Sequence, residues 1–165
     1  MSHNVPIREK NHRLPKELYK GRISASFTLC LQHKAAAFTE PDVVSFFSSI
    51  LSEIITTAHC TVPVYCFMPD HQHILLTGTS DESDLLKTVI AYKQKTGYWL
   101  SSNMPEIKWQ KDFFDHIIRS DENLAVQVRY ILDNPVRKGF AVSWQDYPYK
   151  GSIGYDLNTV VNGIL

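Results

Sequence analysis

An α+β sandwich of ferredoxin-like character, with an antiparallel sheet of about four strands and helices packed on one side of it, is predicted by three observations. β-type segments recur at residues 23–31, 62–67 and 71–77, and apolar residues fall at helical spacing within 43–55 and 124–132. The two kinds also alternate in the order β-α-β-β-α-β-α, which suits such a sheet. With 165 residues, 44% hydrophobic and 21% charged, the chain is long enough to bury one core and reads as a single domain over residues 1–165.

Taken in order, residues 8–22 hold Arg8, Lys10, Arg13, Lys16, Lys20 and Arg22 against Glu9 and Glu17. Residues 1–20 therefore read as a basic arm, able to lie along a phosphate backbone or equally to remain a solvated terminus. Overall charge favours no class of partner, since Lys+Arg and Asp+Glu are 17 each. After the first strand, Thr39-Glu40-Pro41 opens a helix carrying Val43, Val44, Phe47, Ile50, Leu51 and Ile54. Residues 62–67 and 71–77 are strands joined through Met68-Pro69-Asp70. Asp81-Glu82-Ser83-Asp84 supplies caps for a helix that runs from Leu85 to a stop before Gly97, with Lys87, Lys93 and Lys95 on its exposed side. Residues 108–119 are a loop entering a fourth strand, and Ser120-Asp121-Glu122 starts a helix reaching Asn134 before Pro135. Residues 151–165 lack periodicity and are expected to attach loosely. Cys30, Cys60 and Cys66 are odd in number and without C-x-x-C spacing, as for reduced core thiols in a cytosolic, cytoplasmic protein. No apolar run reaches the length of a membrane span.

Two features carry chemistry. In Asp70-His71-Gln72-His73-Ile74-Leu75-Leu76, strand alternation puts His71 and His73 on one face and Gln72 on the other. Such a pair can share a metal ion, although surface or hydrogen-bonded histidines fit the same spacing in a chain with seven of them. On the last helix, Leu124, Ala125, Val128, Ile131 and Leu132 form the buried stripe. Tyr130 lies roughly 160° from its centre, with Asn134 one turn on. Tyr130 is thus available for chemistry or simply for the surface. A phenol needs help to act as a nucleophile, and two imidazoles with a carboxamide oxygen suit Mg²⁺ or Mn²⁺. His116 could approach a site or be a structural histidine. Trp109 and Phe113 could stack on bases or pack in the core.

These residues bear a family resemblance. The segment from Met68 to Leu76 resembles the His-U-His strand of single-tyrosine HUH transposases. Lys108-Trp109-Gln110-Lys111-Asp112-Phe113-Phe114-Asp115-His116-Ile117-Ile118-Arg119 and Tyr130-Ile131-Leu132-Asp133-Asn134-Pro135-Val136-Arg137-Lys138-Gly139-Phe140 look like the REP-associated tyrosine transposase branch. The match runs over about residues 20–150. The resemblance implies a single-strand DNA endonuclease and strand transferase acting on hairpins of palindromic repeats. His71 and His73 would hold the cation, Asn134 would be its third ligand, and Tyr130 would attack to give a 5′-phosphotyrosine and a 3′-hydroxyl. Arg8, Lys10, Arg13, Arg22, Lys87, Lys93 and Lys95 are candidates for DNA contacts. Relatives act as monomers or homodimers. Gln72 departs from the bulky apolar residue usual at that position. The competing readings are a domesticated hairpin-binding protein without activity and a metal phosphodiesterase that uses activated water.

Overall fold

The computed structural model describes residues 13–163, and its sheet grows outward from a central hairpin. Strand β2 (Cys60–Met68) turns at Pro69-Asp70 into β3 (His71–Gly78), with Met68 directly opposite His71. A two-residue connection keeps the register tight, so the first residue of β3 lies at the sheet's end. On the other side of β3 lies β1 (Ser24–Cys30), followed by β4 (Phe114–Ile118). A fifth strand, β5 (Lys150–Ile153), closes the far edge against β2, so the order is β4-β1-β3-β2-β5 with every pair antiparallel. The sheet thus has five strands where about four were expected.

The additional strand comes from the tail that lacked periodicity. All four residues of β5 are half-buried at an edge, so no alternation marks them. Gly151 is required there, because a Cβ would stand 2.5 Å from the Tyr65 hydroxyl. Helix α5 (Leu157–Val161) follows, its Val160 fully buried. The tail is therefore built into the sheet and one core, and the expectation of a loose attachment is corrected.

Helices cover both faces rather than one. Helices α1 (Pro41–Thr57) and α2 (Leu85–Asn103) pack with Phe27, Leu29, Phe67, Ile74 and Leu76, around an aromatic cluster of Phe38, Phe47, Trp99 and Trp109. On the opposite face, α3 (Leu124–Leu132) and α5 enclose Val64, Cys66, Met68 and Leu75. A register shift between Thr61 and Val64 spans Pro63, which has no amide hydrogen for the ladder, and it sends Val62 to the first core and Val64 to the second. Such double coverage explains why β2 reads as a nearly continuous apolar run.

Two helix boundaries differ from expectation. Helix α2 is capped by Asp84, whose Oδ1 accepts from the Lys87 amide at 2.9 Å, but it continues through Gly97 to Asn103. Gly97 is a packing position here. The Trp109 ring lies 3.6 Å from where a Cβ would be, and its Nε1 donates to Thr96 Oγ1 at 2.9 Å. Helix α3 starts at Leu124 rather than near Ser120, capped by Asn123, whose side chain accepts from the Ala125 amide. The carboxylate of Glu122 instead accepts from the Arg119 amide at 3.2 Å, holding the preceding residues in a turn.

Candidate active site

The alternation of β3 divides its first residues between the two faces as expected. Gln72 is fully buried on the α1–α2 side, while His71 and His73 emerge on the α3 side with ring centroids 4.9 Å apart. Each imidazole is oriented through Nδ1. His71 Nδ1 donates to Asp70 Oδ1 at 2.6 Å, and His73 Nδ1 lies 3.0 Å from Oγ1 of Thr28, its register partner on β1. Both Nε2 atoms are thereby left as lone-pair donors.

Asn134 closes the arrangement. It opens the short helix α4 (Asn134–Arg137), directly after α3, and is buried to 8% exposure with its Nδ2 2.7 Å from His73 Nε2. An amide nitrogen can only donate, so Nε2 accepts and Nδ1 carries the proton toward Thr28, a single consistent tautomer. Turning the same carboxamide over presents its oxygen where the nitrogen now lies. Among the described residues no three His, Cys, Asp or Glu side chains cluster as metal ligands. Two imidazoles and a carboxamide are the donor set present, and it fits a divalent cation such as Mg²⁺ or Mn²⁺.

Burial pushes the His73 pKa down to about 3, with help from the neighbouring His71 and from the positive charge of Arg137. The ring is therefore neutral at pH 7, as a ligand must be. The same depression makes stability depend on pH. As pH falls, the unfolded chain takes a proton on this ring around its ordinary 6.5, while the folded chain takes it only near 3. The contribution is complete above about pH 6.5 and is lost toward pH 3 at on the order of 1 kcal/mol per pH unit. Urea unfolding at pH 7.5, 6 and 5 should show this slope, and His73→Asn should flatten it.

Tyr130 projects from α3 one turn before Asn134 and is 58% exposed, so its hydroxyl is reachable without opening the fold. Arg137 stacks on it, with its guanidinium carbon 4.3 Å from the ring centroid and an NH2 donating to the Tyr130 carbonyl at 3.1 Å. Thr28, Asp70 and Arg137 were all missed from the sequence. Arg137 follows Tyr130 by seven residues, two helical turns, which is the one signal that could have found it.

The structure does not gather the predicted DNA-contact residues around the histidines. Arg8 and Lys10 lie outside the described residues. Lys87, Lys93 and Lys95 belong to α2, on the opposite face of the sheet, where Lys93 donates to the Gln110 and Lys111 carbonyls and Lys95 pairs with Glu53 at 2.6 Å. Arg13 stacks on Phe113, and Arg22 donates to the Thr79 carbonyl and pairs with Asp81. His116 is exposed on β4 and bonded to Glu122 at 2.7 Å, opposite Ser26 and two register rows away from the His73–Thr28 pair. Trp109 is a core residue, and Phe113 packs edge-on against Phe27. Cys30, Cys60 and Cys66 are free thiols, with burial pushing Cys66 up to about 12. No helix among the described residues is long and apolar enough to cross a membrane.

The sheet and the helices packed on it have known relatives. Residues 20–134 match the family described as IS200-like transposases, and the chain belongs to that family. A Haemophilus influenzae protein described as a REP-associated tyrosine transposase is 27% identical over 134 residues, covering 74% of this chain and 76% of the relative. The solved structure of a REP-associated tyrosine transposase bound to a REP hairpin superposes with a TM-score of 0.70 at 19% identity, over 84% of this chain and 80% of that one. The α+β fold with helices on an antiparallel sheet is shared with it.

Proposed function

We propose that this transposase-family chain is a metal-dependent single-strand DNA endonuclease and strand transferase that cleaves beside palindromic-repeat hairpins through a covalent tyrosine intermediate. The observation that carries the reading is the contact between Asn134 and His73 Nε2, which joins the histidine face of the sheet to the helix segment bearing Tyr130. His71, His73 and Asn134 would hold Mg²⁺ or Mn²⁺. A cation bound there supplies polarisation of the scissile phosphate.

The chain's own residues do the rest. Asp70 and Thr28 fix both imidazoles in the tautomer that offers Nε2. The exposed Tyr130 hydroxyl loses its proton and attacks phosphorus. The Oη–P bond forms as the P–O3′ bond breaks, leaving a 5′-phosphotyrosine and a 3′-oxygen that takes up a proton. Attack of a 3′-hydroxyl on that phosphotyrosine reverses the step and joins strands. The β1–β4 half of the same sheet face, with half-buried Ser24, Ser26 and Thr28 and an exposed Phe114, offers a surface along which a single strand can lie beside the histidines.

The test is incubation with single-stranded hairpin oligonucleotides and Mn²⁺, resolved by denaturing gel and mass spectrometry, with Tyr130→Phe in parallel. A covalent adduct is expected on Tyr130 and none with the phenylalanine variant. Cleavage that persists in Tyr130→Phe would assign the chemistry to activated water. Hairpin binding without cleavage would make the chain a binder.

A further inference from the structure

The proposed reaction gathers negative charge on a phosphate beside Tyr130, and the cation accounts for only one side of it. A second positive charge, Arg137, is held against Tyr130 itself. Its guanidinium carbon lies over the Tyr130 ring, 4.3 Å from the centroid, and one NH2 donates to the Tyr130 carbonyl at 3.1 Å. The side chain is exposed, and among the described residues no carboxylate lies within ion-pair distance of it. Arg137 is thus an uncompensated cation held against the ring of the nucleophile.

A surface arginine loses rotamer freedom when it is held in one place, and such a residue ordinarily takes a carboxylate partner where one is near. Here the stack and the carbonyl bond hold it, while the fork has five N–H groups and the carbonyl takes only one NH2. The remaining donors match the oxygens of a phosphodiester, the anion for which a planar fork is best suited.

We propose that Arg137 is a further catalytic residue, which donates to a non-bridging oxygen of the phosphate that Tyr130 attacks and holds the nucleophile's ring while it does so. The inference rests on the transposase reading above. Arg137 neither gains nor loses a proton in the step. The Tyr130 Oη–P bond forms, the P–O3′ bond breaks, and the guanidinium meets charge that increases on the non-bridging oxygens between the two events.

The test compares wild type, Arg137→Gln and Arg137→Lys in single-turnover adduct formation on hairpin oligonucleotides with Mn²⁺. The scissile linkage is either an ordinary phosphodiester or a methylphosphonate, which lacks one charged oxygen. Loss of one such donor is expected to slow adduct formation about 10²–10³-fold on the phosphodiester, with hairpin affinity nearly unchanged. Arg137→Lys should recover only part, because an ammonium lacks the planar fork. On the methylphosphonate the gap between wild type and Arg137→Gln should shrink toward unity, a response that a merely structural role would not produce. A wild-type rate in Arg137→Gln, or a defect undiminished on the neutral linkage, overturns the assignment. Absence of any wild-type adduct on either DNA would instead overturn the reading of Tyr130 beneath it.

Discussion

Alanine at His73 is expected to lower strand cleavage by about a thousandfold or more, the scale of losing several kcal/mol of charge stabilisation at the scissile phosphate. His73 is the junction of the site, touching Thr28 through Nδ1 and Asn134 through Nε2. Its removal takes away one imidazole donor and the partner that holds the carboxamide. His71→Ala should likewise abolish cleavage while keeping hairpin affinity, since neither ring belongs to the apolar cores. Thr28→Val is the finer probe. It preserves shape and loses only the hydroxyl, so Mn²⁺ affinity should fall about 10–100-fold, the usual cost of losing an outer partner of a metal-binding histidine. Titration calorimetry with Mn²⁺ alone reads this without DNA. Full cleavage by His73→Ala at ordinary cation concentrations would remove the metal assignment.

The parts of this arrangement that were legible are those encoded by local periodicity. Strand alternation placed His71 and His73 together and turned Gln72 away, and the helical repeat put Tyr130 off the buried stripe. The same reasoning stopped α2 at Gly97, because the indole that occupies the space above that glycine comes from residue 109, across a loop. It put Lys87, Lys93 and Lys95 near the DNA because exposure on a helix is visible in sequence, whereas the sheet face on which the helix lands is not. Thr28 was invisible for a related reason. Nothing local to β1 says that residue 28 will lie opposite residue 73. The fifth strand escaped because an edge strand with four half-buried residues carries no alternation to find. Long-range register, rather than residue type, separates what was read from what was not.

Gln72 offers the second large effect, on stability. It is fully buried at the centre of the sheet, between Leu29 and Phe67 in register, and its Oε1 accepts from the Tyr92 hydroxyl at 2.7 Å while its Nε2 has no partner. Burial raises the Tyr92 pKa well above its ordinary value, so the phenol stays a neutral donor. An orphaned buried amide hydrogen pair costs about 1–3 kcal/mol. Removing one partner alone should not recover it. Tyr92→Phe leaves the whole carboxamide unpaired and is expected to destabilise by about 1–3 kcal/mol. Gln72→Leu exchanges the orphaned amide for an orphaned phenol and should come out near neutral. The pair of changes together removes every unpaired polar atom from this point of the core. Gln72→Leu with Tyr92→Phe should therefore exceed wild type by about 1–2 kcal/mol, or roughly 2–8 °C in Tm. Denaturant unfolding of the four proteins reads the cycle, and a double variant less stable than wild type would show that the hydrogen bond outweighs the orphaned amide. Cleavage should be untouched throughout, because Gln72 and Tyr92 lie on the sheet face away from the histidines. If stability rises and cleavage falls together, the buried amide is holding β3, and with it both imidazoles, in the position that the site requires.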